Sequence, residues 1–276
     1  MRLKNLSIGL FLSVILALVC GAIVFPVVWM VSSALKTPQE LFSDTIVIIP
    51  RQPTLQNFVQ AWRSYGIAHW FVNSAATSLG IMVGQVLTSL LAAYAFAAFE
   101  FRGRNALFML FLGSMVVPFQ VTMVPNYILV SRMKLLDTWW AVILPNLPNA
   151  FGVFLLRQHF LTFPRDLFDA AKLDGASSWT VLWRIVLPLA KASVAAITIL
   201  FLLDAWNMYF WPLLVLKEPT ARTIPIGLQQ FIDYEMGHRW GPFMATATMA
   251  SLPVLVAYAL AQRQIVNAYI TSGLKG

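Results

Sequence analysis

The chain has 276 residues, 59% of them apolar and only 11% charged, with 19 Lys+Arg against 11 Asp+Glu for a formal charge of +8. A mean hydropathy of +0.73 leaves too few charges to cover a water-facing surface, which excludes a soluble globular domain and points to an integral membrane protein. A single cysteine, Cys20, excludes a disulfide framework and zinc sites built from cysteine pairs, and basic cytoplasmic loops account for the positive charge without nucleic acid.

A bilayer span requires about 20 predominantly apolar residues, and six stretches between charges provide it. Spans are expected at about 8–32, 70–99, 105–130, 138–157, 192–216 and 240–262. The first follows Arg2 and Lys4, but it exceeds the roughly 7 to 15 residues of a signal-peptide core and is read as a retained span. Val19 is too large for the position before a lipoprotein cysteine, so Cys20 is expected as a plain buried thiol. The fourth span is interrupted by Pro145 and Pro148, and the fifth carries one charge, Asp204. Six spans place both termini on one side, where 11 Lys+Arg outnumber the 8 on the other, so the termini are expected in the cytoplasm. Outside, 35–68 and 217–239 form the longest loops; inside, 157–191 stands out.

Within that inner loop Pro164 suits a first helical turn, and Leu167, Phe168, Ala171 and Leu173 are expected on one side of a helix that Gly175 stops. Ser177 or Ser178 caps a second helix through Trp179, Leu182, Trp183 and Ile185, which Pro188 ends. An amphipathic connector lying on the membrane is the bland alternative, but it needs no fixed spacing from glycine to proline, whereas a plug into another protein does.

The run Asp169-Ala170-Ala171-Lys172-Leu173-Asp174-Gly175-Ala176, followed by Ile185, Leu187 and Pro188, resembles the EAA loop of ABC importer permeases, E-A-A-x3-G-x9-I-x-L-P, with Asp169 in place of the usual Glu. Similarity to the carbohydrate branch, whose type member is the smaller maltose permease subunit, runs almost end to end. It is carried by Ser32-Ser33-Ala34-Leu35-Lys36 with Glu40, Pro50 and Thr54-Leu55-Gln56-Asn57-Phe58, and by Phe71-Val72-Asn73-Ser74. Phe154-Leu155-Leu156-Arg157-Gln158, Trp206-Asn207 with Trp211-Pro212, and the ending Thr271-Ser272-Gly273-Leu274-Lys275-Gly276 are similar too.

This resemblance implies an all-α polytopic protein of the type I ABC importer permease fold, a single permease domain over 1–276 with a cytoplasmic coupling loop at 161–190. It further implies a prokaryotic cytoplasmic membrane, surrounding lipid, a homologous second permease, an extracytoplasmic solute-binding protein and a sugar as cargo. Glycerol phosphate or a related polyol phosphate, carried by near relatives, is the alternative cargo. Two separate ATPase subunits would bind ATP and Mg. The resemblance assigns contact with them to Asp169, Ala170, Ala171, Asp174, Gly175, Ala176, Ile185 and Pro188, and to a tail of Ser272, Gly273, Leu274 and Lys275. A phosphate-cradling loop needs Gly-Lys-Ser/Thr and the chain has no Gly-Lys dipeptide, so neither enzymatic activity nor a cofactor or metal of its own is expected.

A charge in mid-span is costly and usually faces a cavity or a partner. On a continuous helix Asp204, Asn207, Met208 and Trp211 would share one face, where acid, amide and indole suit a sugar; a structural hydrogen bond is the alternative for Asp204. Pro145-Asn146-Leu147-Pro148-Asn149 breaks the backbone at membrane depth, so Asn146 and Asn149 either line the pathway or belong to an architectural kink, and Gln85 raises the same question. A membrane protease would need a G-x-S serine working with a histidine, or H-E-x-x-H. His69, His159 and His238 lie far apart near span ends or in loops. A secondary transporter would show internal repeats and coupling-ion residues, and Asp204 alone hardly supplies them.

Overall fold

The computed structural model describes residues 2–43, 45, 47–64, 66–232 and 239–273, and every regular element among them is a helix. In chain order these are α1 (Arg2–Ala34), α2 (Pro38–Leu41), α3 (Gln56–Ser64), α4 (Ile67–Ala98), α5 (Arg104–Gly113), α6 (Phe119–Arg132), α7 (Trp139–Ile143) and α8 (Ala150–Phe160). They continue with α9 (Arg165–Leu173), α10 (Ser178–Val181), α11 (Leu187–Leu189), α12 (Lys191–Trp206), α13 (Phe210–Val215), α14 (Ile224–Leu228) and α15 (Trp240–Gly273).

Among the described residues three stretches are long and apolar enough to cross a membrane unbroken: Phe11–Ala34, Ile67–Ala98 and Trp240–Leu260. Three more qualify only as bent pairs: Arg104–Val116 with Phe119–Arg132 at 98°, Trp139–Asn146 with Ala150–Phe160 at 45°, and Ser178–Leu189 with Lys191–Trp206 at 83°. The stretch expected as one span at 105–130 is therefore not one rod. Pro118 forces Val117 into extended backbone (φ −73, ψ 115), and the helix restarts beyond it in a new direction. The stretch expected at 192–216 is also divided, because α12 ends at Trp206 and three residues separate it from α13.

The chain forms two compact units, residues 1–68 with 227–252 and residues 69–226 with 253–276. In the first unit none of the residues 11–31 of α1 is buried, and Cys20, expected as a buried thiol, is exposed there; only Ser32, Ser33 and Ala34 at the end of the helix are covered. The end of α1 is tied down by Asn57, whose amide donates to the carbonyls of Ala34 (2.9 Å) and Lys36 (2.8 Å). A Cβ on Gly241 would lie 2.3 Å from the Asn57 Oδ1, so the glycine gives this amide its room. Lys36 is only 2% exposed, with its ammonium 4.1 Å from the Trp29 ring centroid. Burial pushes its pKa down, and Glu40 opposes this in smaller measure.

The second unit has two cores. One joins Leu90 and Phe96 of α4 to Phe108, Leu156, Leu182 and Phe201; the other joins Ile81 of α4 to Val142, Ile143, Trp211, Leu216 and Ile226. Helices in lipid associate through close packing rather than exclusion of water, which favours small residues at contacts. Gly80 and Gly84 supply that on α4, where an added Cβ would come within 2.6 Å of Ile143 and 2.2 Å of Leu147. Gly152 of α8 lies under Phe201 of α12, 2.5 Å from a Cβ placed there.

Candidate functional site

The segment from Pro164 to Ala190 is built by local rules. The helix α9 closes in a Schellman turn, in which the Gly175 N–H donates to Lys172 O (3.0 Å) and the Ala176 N–H to Ala171 O (2.9 Å). Gly175 takes the left-handed conformation this motif requires, φ +72. Ser177 caps the next helix by accepting from the Thr180 N–H (3.2 Å). That helix ends at Leu189, one residue past Pro188, and it widens ahead of the proline. Lacking an N–H, and crowding the carbonyl four residues back, Pro188 follows a π turn over Leu182–Val186, where the Leu187 N–H reaches Leu182 O.

Packing then sorts the faces. Ala171, Val181, Leu182 and Val186 enter the core of the unit, with Phe168, Ala176 and Ile185 partly buried against it. Leu173, expected beside Ala171, points elsewhere: it is about 200° around the helix from Ala171 and is 89% exposed, whereas Leu167, four residues before Ala171, keeps to its side but remains 40% exposed. Trp179, 60% exposed, stands edge-on to Trp183 at 6.0 Å. Of the residues assigned to ATPase contact, Asp169, Ala170, Asp174, Gly175 and Pro188 are exposed, whereas Ala171 is buried. Asp169 pairs with Lys172 at 3.9 Å in full view of solvent, a contact of little energetic weight. Ser272 and Gly273 lie at the end of α15, while Leu274 and Lys275 lie outside the described residues.

The polar residues in the apolar stretches of this unit fall into two groups. Around the 144–149 break, Asn146 donates to Val142 O (2.8 Å) and Asn149 Oδ1 accepts from the Gly152 N–H (2.9 Å), capping α8. Gln85 of α4 donates to Asn146 O (2.7 Å) and Thr88 to Leu147 O (2.9 Å). These α4 residues form the polar half of the break. Gln85 showed in the sequence as a polar residue in a span, and Thr88 gave no signal at all. In the second group, Asp204, Asn207 and Trp211 do not share a face. The helix breaks between Trp206 and Phe210, leaving Asp204 and Asn207 exposed, while Trp211 turns inward, 1% exposed, and donates to Ala141 O at 3.0 Å. The indole expected on a sugar thus joins α13 to α7.

The helix–turn–helix segment with its exposed apolar edge is thus attached to the broken spans of the same unit. The family described as binding-protein-dependent transport system inner membrane component matches residues 76–267. The chain is 34% identical over 256 residues to the arabinooligosaccharides transport system permease protein AraQ of Halalkalibacterium halodurans, covering 92% of this chain and 91% of that one. It is 30% identical over 275 residues to the sn-glycerol-3-phosphate transport system permease protein UgpE of Pectobacterium atrosepticum, covering 96% and 97%. In fold it is similar to a chain of a bacterial ABC transporter involved in import of the acidic polysaccharide alginate (TM-score 0.85, 20% identity, 94% of this chain and 97% of that one). The chain belongs to the binding-protein-dependent transport system inner membrane component family and is a permease component of an ABC importer.

Proposed function

We propose that this chain is one of two homologous permease subunits of a sugar importer, forming half of the translocation path. It takes its cargo from a solute-binding protein and couples to separate ATPase subunits, which hold ATP and Mg, through residues 165–188. The observation that carries this reading is the apolar edge of Leu173 and Trp179, exposed on a segment whose turn geometry is fixed. Exposed apolar residues on a rigid frame beside the membrane mark a protein contact. ATP binding can shift the spans only if that segment stays seated in both states, so it acts as a joint. The positive-inside bias supports placing this segment and both termini in the cytoplasm.

A sugar is favoured by the relative named for arabinooligosaccharides and by the exposed carboxylate of Asp204, which repels a phosphate and accepts hydrogen bonds from hydroxyls. The relative named for sn-glycerol-3-phosphate supports the second reading, a polyol phosphate. Reconstitution of the whole complex, with uptake of labelled arabinooligosaccharide measured against glycerol phosphate, separates the two. In the same vesicles Gly175→Val, which meets about 1 to 2 kcal/mol of left-handed strain, is expected to abolish uptake while insertion and yield persist. Normal uptake by that variant defeats the coupling role.

A further inference from the structure

A cavity of about 410 Å³ lies between the end of α4, the turn that opens α5, the end of α8 and the helix α9. Phe99 and Phe160 form part of its wall, and its charged groups are Arg104, Arg165 and Lys172 against Glu100 and Asp169. Asp169 is already engaged with Lys172. Arg104 is not so engaged, and neither is Arg157, which lies one turn before Phe160: among the described residues neither has a carboxylate at ion-pair distance. Both are partly buried and both are anchored on the end of α4. The Arg157 guanidinium stands 4.0 Å from the centroid of the Phe108 ring, and its Nε donates to Phe96 O (3.4 Å). Arg104, one turn before Phe108, donates from Nη1 to Phe99 O (3.2 Å). The two guanidiniums are close enough for their charges to repel.

Holding two like charges together where both are partly desolvated is unfavourable on both counts, and an anion set against them relieves both. Counting Arg157, four cations face two carboxylates here, an excess that one phosphate diester does not exhaust. The guanidinium fork matches phosphate oxygens. What surrounds the pair says what the phosphate is attached to. Beyond Arg104, Leu107 and Leu110 follow along α5 and are exposed, and Phe99 and Phe101 in the preceding turn are exposed as well. The unbroken span of α4 ends at Ala98, so these groups stand where a span leaves the apolar layer. Cations at such a border, with exposed apolar side chains leading away from them along the span, suit an amphiphile whose head carries the phosphate and whose acyl chains lie along α5. We infer that Arg104 and Arg157 bind the phosphate of an anionic phospholipid, and that this lipid, seated in the cavity beside Arg165, braces α9 against the end of α4. The inference goes beyond the importer reading and does not depend on it.

The test uses the complete complex, stripped of lipid in detergent and titrated with phosphatidylglycerol, phosphatidylcholine or inorganic phosphate. Bound lipid is counted by native mass spectrometry, and stabilisation is followed by thermal unfolding. Phosphatidylglycerol is expected to bind and to raise the unfolding temperature, phosphatidylcholine to do so less, and inorganic phosphate at the same concentration to leave the bound lipid in place. Arg104→Gln is expected to weaken phosphatidylglycerol binding about fivefold. Arg157→Lys keeps the charge and loses the fork, so a smaller loss is expected. Arg102→Gln removes the same charge from the same turn outside the cavity and is expected to change nothing. Equal losses in Arg102→Gln and Arg104→Gln reduce the effect to diffuse surface charge and overturn the site, as does undiminished binding in Arg104→Gln. Displacement of the lipid by inorganic phosphate overturns the phospholipid and gives the site to a soluble anion. Loss of the ATPase subunits from Arg104→Gln with lipid binding intact makes that arginine an ATPase contact instead. None of these measurements involves cargo, so the importer reading stands or falls separately, on uptake.

Discussion

Of the helix breaks in this chain, those at 144–149 and 207–209 are satisfied differently. At 144–149 the freed backbone carbonyls are taken up by Gln85 and Thr88 of α4, and the two asparagines spend their side chains on Val142 O and on the α8 cap. At 207–209 the flanking polar side chains Asp204 and Asn207 remain exposed, and the amide of Asn207 bonds back to Leu203 O (2.8 Å) in its own helix. Non-helical backbone in a membrane must be satisfied by protein or must line a wet cavity. The first break takes the protein solution. The second leaves an acid and an amide on the surface, which is what a polar pathway requires.

The largest expected effect comes from breaking the first arrangement. Gln85→Leu combined with Thr88→Val leaves the part-buried Asn146 carbonyl without its donor, at about 1 to 3 kcal/mol, and the more exposed Leu147 carbonyl at less. The expected outcome is a collapse in the yield of folded complex, read by fluorescence-detected size exclusion and thermal unfolding. A full yield with lost transport would instead make the 144–149 break part of the pathway.

Asp204→Asn tests the second arrangement. It keeps size and hydrogen-bonding capacity and removes only the charge. Uptake per complex is expected to fall while yield stays at the wild-type level. A drop in yield matching that of the α4 double variant would erase the distinction between the two breaks.

Trp211→Phe carries the smallest effect. The ring still fills the core and packs edge-on to Phe119, and only the bond to Ala141 O is lost, at about 1 kcal/mol. A slightly lower melting temperature with the same solute preference is expected. A change in preference would return the indole to the cargo.

Much of the 164–190 segment is legible in the sequence because its geometry is local. Gly175 stands where a Schellman turn needs positive φ, and Ser177 where a helix needs a cap, and both act within five residues of themselves. Trp211 was placed by the same helical arithmetic and turned out inward, because the arithmetic assumes an unbroken helix from Asp204 and the helix ends at Trp206. Leu173 was grouped with Ala171 on composition, although 200° separates them.

By itself the sequence determined what composition, spacing and short-range bonding control: membrane residence, the turn at Gly175 and the family. Only the tertiary structure decided which polar groups are spent on architecture and which are left free. Gln85 and Asn146 are 61 positions apart, and Asn73 and Arg222 are 149 apart. No periodicity along the chain records a bond across such distances, because a buried amide is identical in sequence whether it holds a carbonyl or faces a cavity, and packing alone assigns its partner.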